Sequence, residues 1–87
     1  MDSLREFNRT GTEFLKVDVA TGLTLAKAAL TTGSAEKRER NQKSARKAYD
    51  TIVRILNKIT PTEADAKELN DSLDELKANL VKLGETF

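Results

Sequence analysis

Ala45-Arg46-Lys47-Ala48-Tyr49-Asp50-Thr51-Ile52-Val53-Arg54-Ile55-Leu56 is the stretch on which the reading of this chain turns. Apolar side chains recur at Ala45, Ala48, Tyr49, Ile52, Ile55, Leu56 and Ile59, which is helical spacing. Arg46, Lys47, Asp50, Arg54 and Lys58 fall mostly between them. The run predicts an amphipathic helix near the middle of the sequence, one face apolar and the other charged.

Two breaks bound this helix. Upstream lies Thr31-Thr32-Gly33-Ser34, where Gly33 suits a left-handed helix end and Ser34 an N-cap. Downstream lies Thr60-Pro61-Thr62-Glu63, read as an N-cap at Thr60, a first helical residue at Pro61 and a capping box closed by Glu63. Gly84 ends the last helix and leaves Glu85-Thr86-Phe87 as a tail, either free or folded back over the bundle end. The helices are therefore expected at about 4–32, 35–59 and 61–83, forming a single domain. Short turns between long helices imply antiparallel neighbours, so the expected fold is all-α, an up-down-up antiparallel three-helix bundle.

The first helix carries two apolar faces. Leu4, Phe7, Gly11, Phe14, Thr21, Leu25 and Ala28 form one, and Leu15, Val19, Gly22, Leu23, Ala26 and Leu30 the other. Either this helix touches both neighbours, or one face meets a partner. Gly11 is a potential weak point, because glycine costs ~1 kcal/mol in a helix interior, and Thr10-Gly11-Thr12-Glu13 offers a competing start. Gly22 and the nearby alanines permit close helix approach.

The second helix carries eight basic and three acidic residues over 35–59, the third six acidic and three basic over 61–83. A basic helix beside an acidic one fits the pairing, although exposed ion pairs contribute only ~0–1 kcal/mol each. Ala66, Leu69, Leu73, Leu76, Leu80 and Leu83 give the third helix a narrow three-four seam.

Composition narrows the chemistry. The 87 residues contain no His and no Cys. The commonest general base, the commonest transition-metal ligand and any thiolate nucleophile are therefore missing, which argues against an enzyme. The four glycines are isolated, so no phosphate-cradling loop is present. No cofactor is implied. A net charge of +1 gives no global attraction to nucleic acid or anionic membrane. The N-terminus does not read as a signal peptide, and the least charged segment, 17–35, is too polar to span a bilayer. A cytoplasmic protein with no membrane association is the default expectation.

Two sets of side chains remain as candidate binding sites. Lys37, Arg38, Arg40, Lys43, Arg46 and Lys47 cluster in the first half of the second helix and could take an anion or, less readily, nucleic acid. Pairs at i, i+4, Glu36 with Arg40 and Glu39 with Lys43, would instead make it a solvated face. Leu69, Leu73, Leu76 and Leu80 could line a groove for a partner helix, provided that the core does not consume them. The carboxylates Asp65, Glu68, Asp71, Asp74 and Glu75 follow no calcium-loop pattern and read as a solvated face. Tyr49 belongs to the core, with its hydroxyl at the rim.

The pattern Ala45-Arg-Lys-Ala-Tyr49-Asp-Thr-Ile52 resembles the second helix of a tetratricopeptide hairpin, matching at Ala45 and Tyr49. Ile52 stands where that family has a small residue, and Pro61 falls later than its closing proline. The helix lengths and the Leu-rich third helix, over about 17–83, look like the microtubule-interacting-and-trafficking (MIT) domain. Both families bind peptides along helix grooves. The resemblance thus implies a noncatalytic protein-interaction module with a protein or peptide partner, and self-association through the spare face of the first helix is a companion expectation.

Overall fold

The computed structural model describes residues 3–87. Three helices follow one another: α1, Ser3–Thr31; α2, Ala35–Leu56; and α3, Glu63–Lys82. They form the expected up-down-up antiparallel bundle, a rod of 51 × 17 × 17 Å. Its length is set by α1, whose 29 residues run ~43 Å at 1.5 Å per residue.

The core is built from Leu15, Val19 and Ala26 of α1, Ala45 and Ile52 of α2, and Leu69, Leu73, Leu76 and Leu80 of α3, with Ile59 from the connection. α1 packs far more extensively against α2 and α3 than these two pack against each other. The first helix, rather than the central stretch, is therefore the packing hub. It reaches both neighbours with one face, along Thr12, Leu15, Val19, Gly22, Ala26 and Ala29. Close approach explains Gly22: a β-carbon there would stand 3.0 Å from Leu76 Cδ2 and 3.4 Å from Ala48 Cβ. α1 is also continuous through Gly11, where a β-carbon would meet Ile59 Cγ2 at 3.2 Å. The missing side chain makes room for a buried isoleucine.

Helix ends depart from the sequence reading at two places. α2 stops at Leu56, three residues earlier than expected, and Ile59, beyond the helix end, is buried where α1 carries Gly11. Thr60 is not the N-cap of α3. Its backbone N–H donates to Asn8 Oδ1 at 3.1 Å, which ties the connection to α1. The cap is Thr62, whose hydroxyl accepts from the Asp65 N–H at 3.1 Å, and Pro61 lies before the helix. The cap thus lies two residues later than the capping-box reading placed it, with the Thr60 backbone held by α1 instead. At the other turn Ser34 caps α2 as expected, accepting from the Lys37 N–H at 3.2 Å. Gly33, however, does not take the left-handed conformation: among the described residues only Gly84 does, with φ 101°. α1 ends instead with the Thr31 hydroxyl donating to Lys27 O at 2.9 Å.

No helix among the described residues is long and apolar enough to cross a membrane.

Candidate functional site: the outer face of the first helix

The leucine groove is not available. Leu69, Leu76 and Leu80 are fully buried and Leu73 is 5% exposed. The three-four seam of α3 is the wall of the core: its four central leucines are buried, and Ala66 and Leu83 at its ends are half-buried.

A second three-four seam has no such cover. Ser3, Phe7, Thr10, Phe14, Val17, Thr21, Thr24, Ala28 and Thr31 follow one another at alternating steps of four and three along α1. None is charged. All are exposed except Ala28, which is half-buried. Phe7 is 58% exposed, Phe14 55% and Val17 65%. At 100° per residue this stripe lies on the side of α1 away from Leu15, Val19 and Ala26. Three of the four threonines are less polar than they look. The hydroxyls of Thr21 and Thr24 donate to the carbonyls of Val17 and Ala20, each at 3.0 Å, and that of Thr31 to Lys27 O. With their donors satisfied within the helix, these side chains offer mainly methyl groups to whatever covers the face. Val17, Ala20, Thr21, Thr24 and Leu25 enclose a shallow depression in it.

The basic cluster divides three ways. Arg38 Nη2 donates to Thr32 O at 3.2 Å and closes the α1–α2 turn. Arg46, half-buried, binds the C-terminal tail: its Nε donates to both Asp50 oxygens at 3.2 Å, and its Nη1 to Glu85 Oε1 at 3.1 Å and Thr86 O at 2.8 Å. Lys37, Arg40, Lys43 and Lys47 remain exposed on the outward side of α2. Neither Glu36–Arg40 nor Glu39–Lys43 closes into an ion pair among the described residues. The i, i+4 pairs that do form include Arg46–Asp50 and Lys67–Asp71.

The tail folds back, settling the choice that the sequence left open. Gly84 turns the chain, and the Glu85 N–H donates to Leu80 O at 3.0 Å. Gln42 Nε2 donates to Glu85 Oε2 at 2.6 Å. The Phe87 ring then sits 4.9 Å from that of Tyr49, edge to face, with the Arg46 guanidinium carbon 4.1 Å from its centre. Tyr49 packs against the core, and its outer side is covered by Phe87.

Carboxylates of α3 are engaged by lysines, mainly from α1 rather than from the basic α2. Lys16 Nζ lies 2.8 Å from Asp65 and 3.4 Å from Glu68, and Lys27 Nζ lies 3.7 Å from Glu75. The Lys16 hydrogen bond, followed by that of Thr62, lowers the Asp65 carboxyl below the ordinary 3.8. In return Asp65 raises Lys16 above 10.5. Asp65 lies beside the cleft between the start of α1 and the α2–α3 connection. A carboxyl lowered in this way stays ionised at neutral pH, the opposite of what a general acid requires. Among the described residues no group of three or more acidic side chains is placed to hold a metal ion.

No protein-family model matches the chain, and no curated protein or solved structure matches it.

Proposed function

We propose that the protein is a noncatalytic helical interaction module that docks a partner helix on the outer face of α1. The observation that carries this reading is the charge-free stripe from Phe7 to Thr31, exposed along nearly the whole length of the longest helix. Phe7, Phe14 and Val17 are each more than half exposed on this one uncharged face, and exposed apolar side chains grouped in this way mark interaction sites. Three-four spacing is the pattern into which a second helix packs. The resemblance to peptide-binding helical hairpins belongs to the same class of function, but the docking face moves from a groove beside α3 to α1. Anion binding by α2 ranks second, because Arg38 and Arg46 are committed to the turn and the tail. The four basic residues that remain have no aromatic platform among them.

A displayed library of amphipathic helices of about four heptads tests the reading. Binders should be enriched, and should lose affinity when Phe14 or Val17 is changed to Glu. Failure to enrich any binder would remove the reading. Binders sensitive instead to charge reversal at Arg40 and Lys43 would move the function to α2.

A further inference from the structure

We infer that the outer face of α1 is a self-complementary seam that pairs with α1 of a second copy of the chain, antiparallel. This rests on the docking face proposed above and names its occupant.

Spacing comes first. In heptad terms Phe7, Phe14, Thr21 and Ala28 occupy one core position, and Ser3, Thr10, Val17, Thr24 and Thr31 the other. The stripe drifts ~20° per heptad around a straight helix, the mismatch that a left-handed superhelix absorbs. Two such helices can align in either direction, and side-chain size and charge decide between them.

In a parallel pair each core position meets itself. Phe7 would face Phe7 and Phe14 would face Phe14, while Thr21 would face Thr21, so bulk would crowd one half and leave the other loosely filled. The flanking charges disagree as well: Glu13 would lie beside Asp18 of the second copy, twice per dimer, and like charges at these positions select against a pairing.

The antiparallel pair resolves both conflicts. Centred between Phe14 and Val17, it sets Phe7 opposite Thr24 of the second copy, Thr10 opposite Thr21 and Phe14 opposite Val17. Every aromatic ring then meets a smaller β-branched side chain, the large-against-small alternation that fills a seam. The same register brings Glu6 beside Lys27 of the second copy, again twice per dimer, and Glu13 beside the uncharged Ala20. Lys27 is 62% exposed, and its 3.7 Å approach to Glu75 leaves the side chain able to turn toward the seam. Glu6 is exposed near the other end of the stripe. The back-bonded Thr21 and Thr24 hydroxyls bring no unsatisfied donor into this contact.

Sedimentation equilibrium over a wide concentration range, with circular dichroism to establish folding, tests the inference. The wild-type chain should be a reversible dimer. Phe14→Glu and Val17→Glu should stay helical, since both side chains are exposed, and should weaken the dimer at least ~30-fold, as for a seam-centre hot spot. Glu6→Lys alone and Lys27→Glu alone should each weaken it ~2- to 5-fold per lost pair, and the double exchange should restore it. A wild-type chain that stays monomeric overturns the inference. If library helices still bind at Phe14 and Val17, the docking face survives that result with another occupant; if none binds, both fall. A dimer indifferent to Phe14→Glu, or a charge exchange without rescue, also overturns the antiparallel pairing.

Discussion

Two seams of the same spacing meet opposite fates in this molecule. On α3, Leu69, Leu73, Leu76 and Leu80 alternate by four and three and are sealed beneath the other two helices. On α1, Phe7, Thr10, Phe14, Val17, Thr21 and Thr24 alternate in the same way and face outward. The difference lies in what else each helix carries. α3 has one apolar stripe and must bury it, whereas α1 has two. Its inner stripe, with Gly22, Ala26 and Ala29, is the small-residue face that lets both neighbours come close. Once that face is chosen, the bulkier one is left outside. Spacing thus identifies a surface that a helix can pack against, and the competition between faces decides which is packed within the chain.

Substitutions across the two seams should separate them in urea unfolding. Leu76→Ala should cost about 2–5 kcal/mol, the usual range for emptying a packed site, because Leu76 is fully buried. Phe14→Ala removes a larger side chain yet should change the stability of the monomer by only about 0.5 kcal/mol or less. Equal losses at the two positions would break the distinction.

Gly22→Val probes the inner face of α1 from the other direction. Its β-carbon alone would stand 3.0 Å from Leu76 Cδ2, so the branched side chain should overfill the contact and cost about 1–3 kcal/mol. Unchanged stability would mean that the helices are less closely packed than described. Thr62→Ala should cost about 1 kcal/mol by removing the hydroxyl that caps α3. Thr60→Ala keeps the backbone hydrogen bond to Asn8 and should cost less. The reverse order would return the cap to Thr60.

The smallest effect concerns the ion pair that ties α1 to α3. Because the Asp65 carboxyl is lowered on folding, its contribution is fully present above the ordinary value of 3.8 and is lost as pH falls through the lower folded value. Lys16 is raised, so its contribution is lost only as pH rises through a value above 10.5. Urea midpoints of Lys16→Met across pH should therefore show a flatter acid limb below about pH 4 than those of the unsubstituted chain. Parallel acid limbs would show that the pair contributes nothing to folding.

Much of this build was legible in the residues. Helical periodicity, Ser34, Gly84 and the short turns specify three antiparallel helices and most of their ends. The core leucines of α3 were legible as a seam, but whether they would be spare was not, since that depends on how α1 divides its two faces. Local signals favour Thr60 as the cap of α3, and a tertiary contact, the hydrogen bond from the Thr60 N–H to Asn8, accompanies the shift of the cap to Thr62. For the same reason the six basic residues of α2 read as one cluster in sequence. In space Arg38 turns to a loop carbonyl and Arg46 to a tail that lies 39 positions further along the chain. The outer stripe of α1 was partly visible in Phe7, Phe14, Thr21 and Ala28. Thr10, Val17 and Thr24 complete it and lie outside the face traced from Phe7 and Phe14 in the sequence. The share of Thr21 and Thr24 in an apolar face rests on hydroxyls turned back to the helix carbonyls.

The direction of pairing between copies is open to a single measurement. The chain has no cysteine, so Ser3→Cys gives one attachment point for a nitroxide at the start of α1. Spin-labelled chain without ¹⁵N would be mixed with ¹⁵N-labelled wild-type chain, and intermolecular broadening read along the helix. Antiparallel pairing centred between Phe14 and Val17 predicts the strongest broadening around Ala28 and Thr31. Broadening concentrated at Phe7 and Thr10, or none along α1 at concentrations where the chain is dimeric, would contradict it.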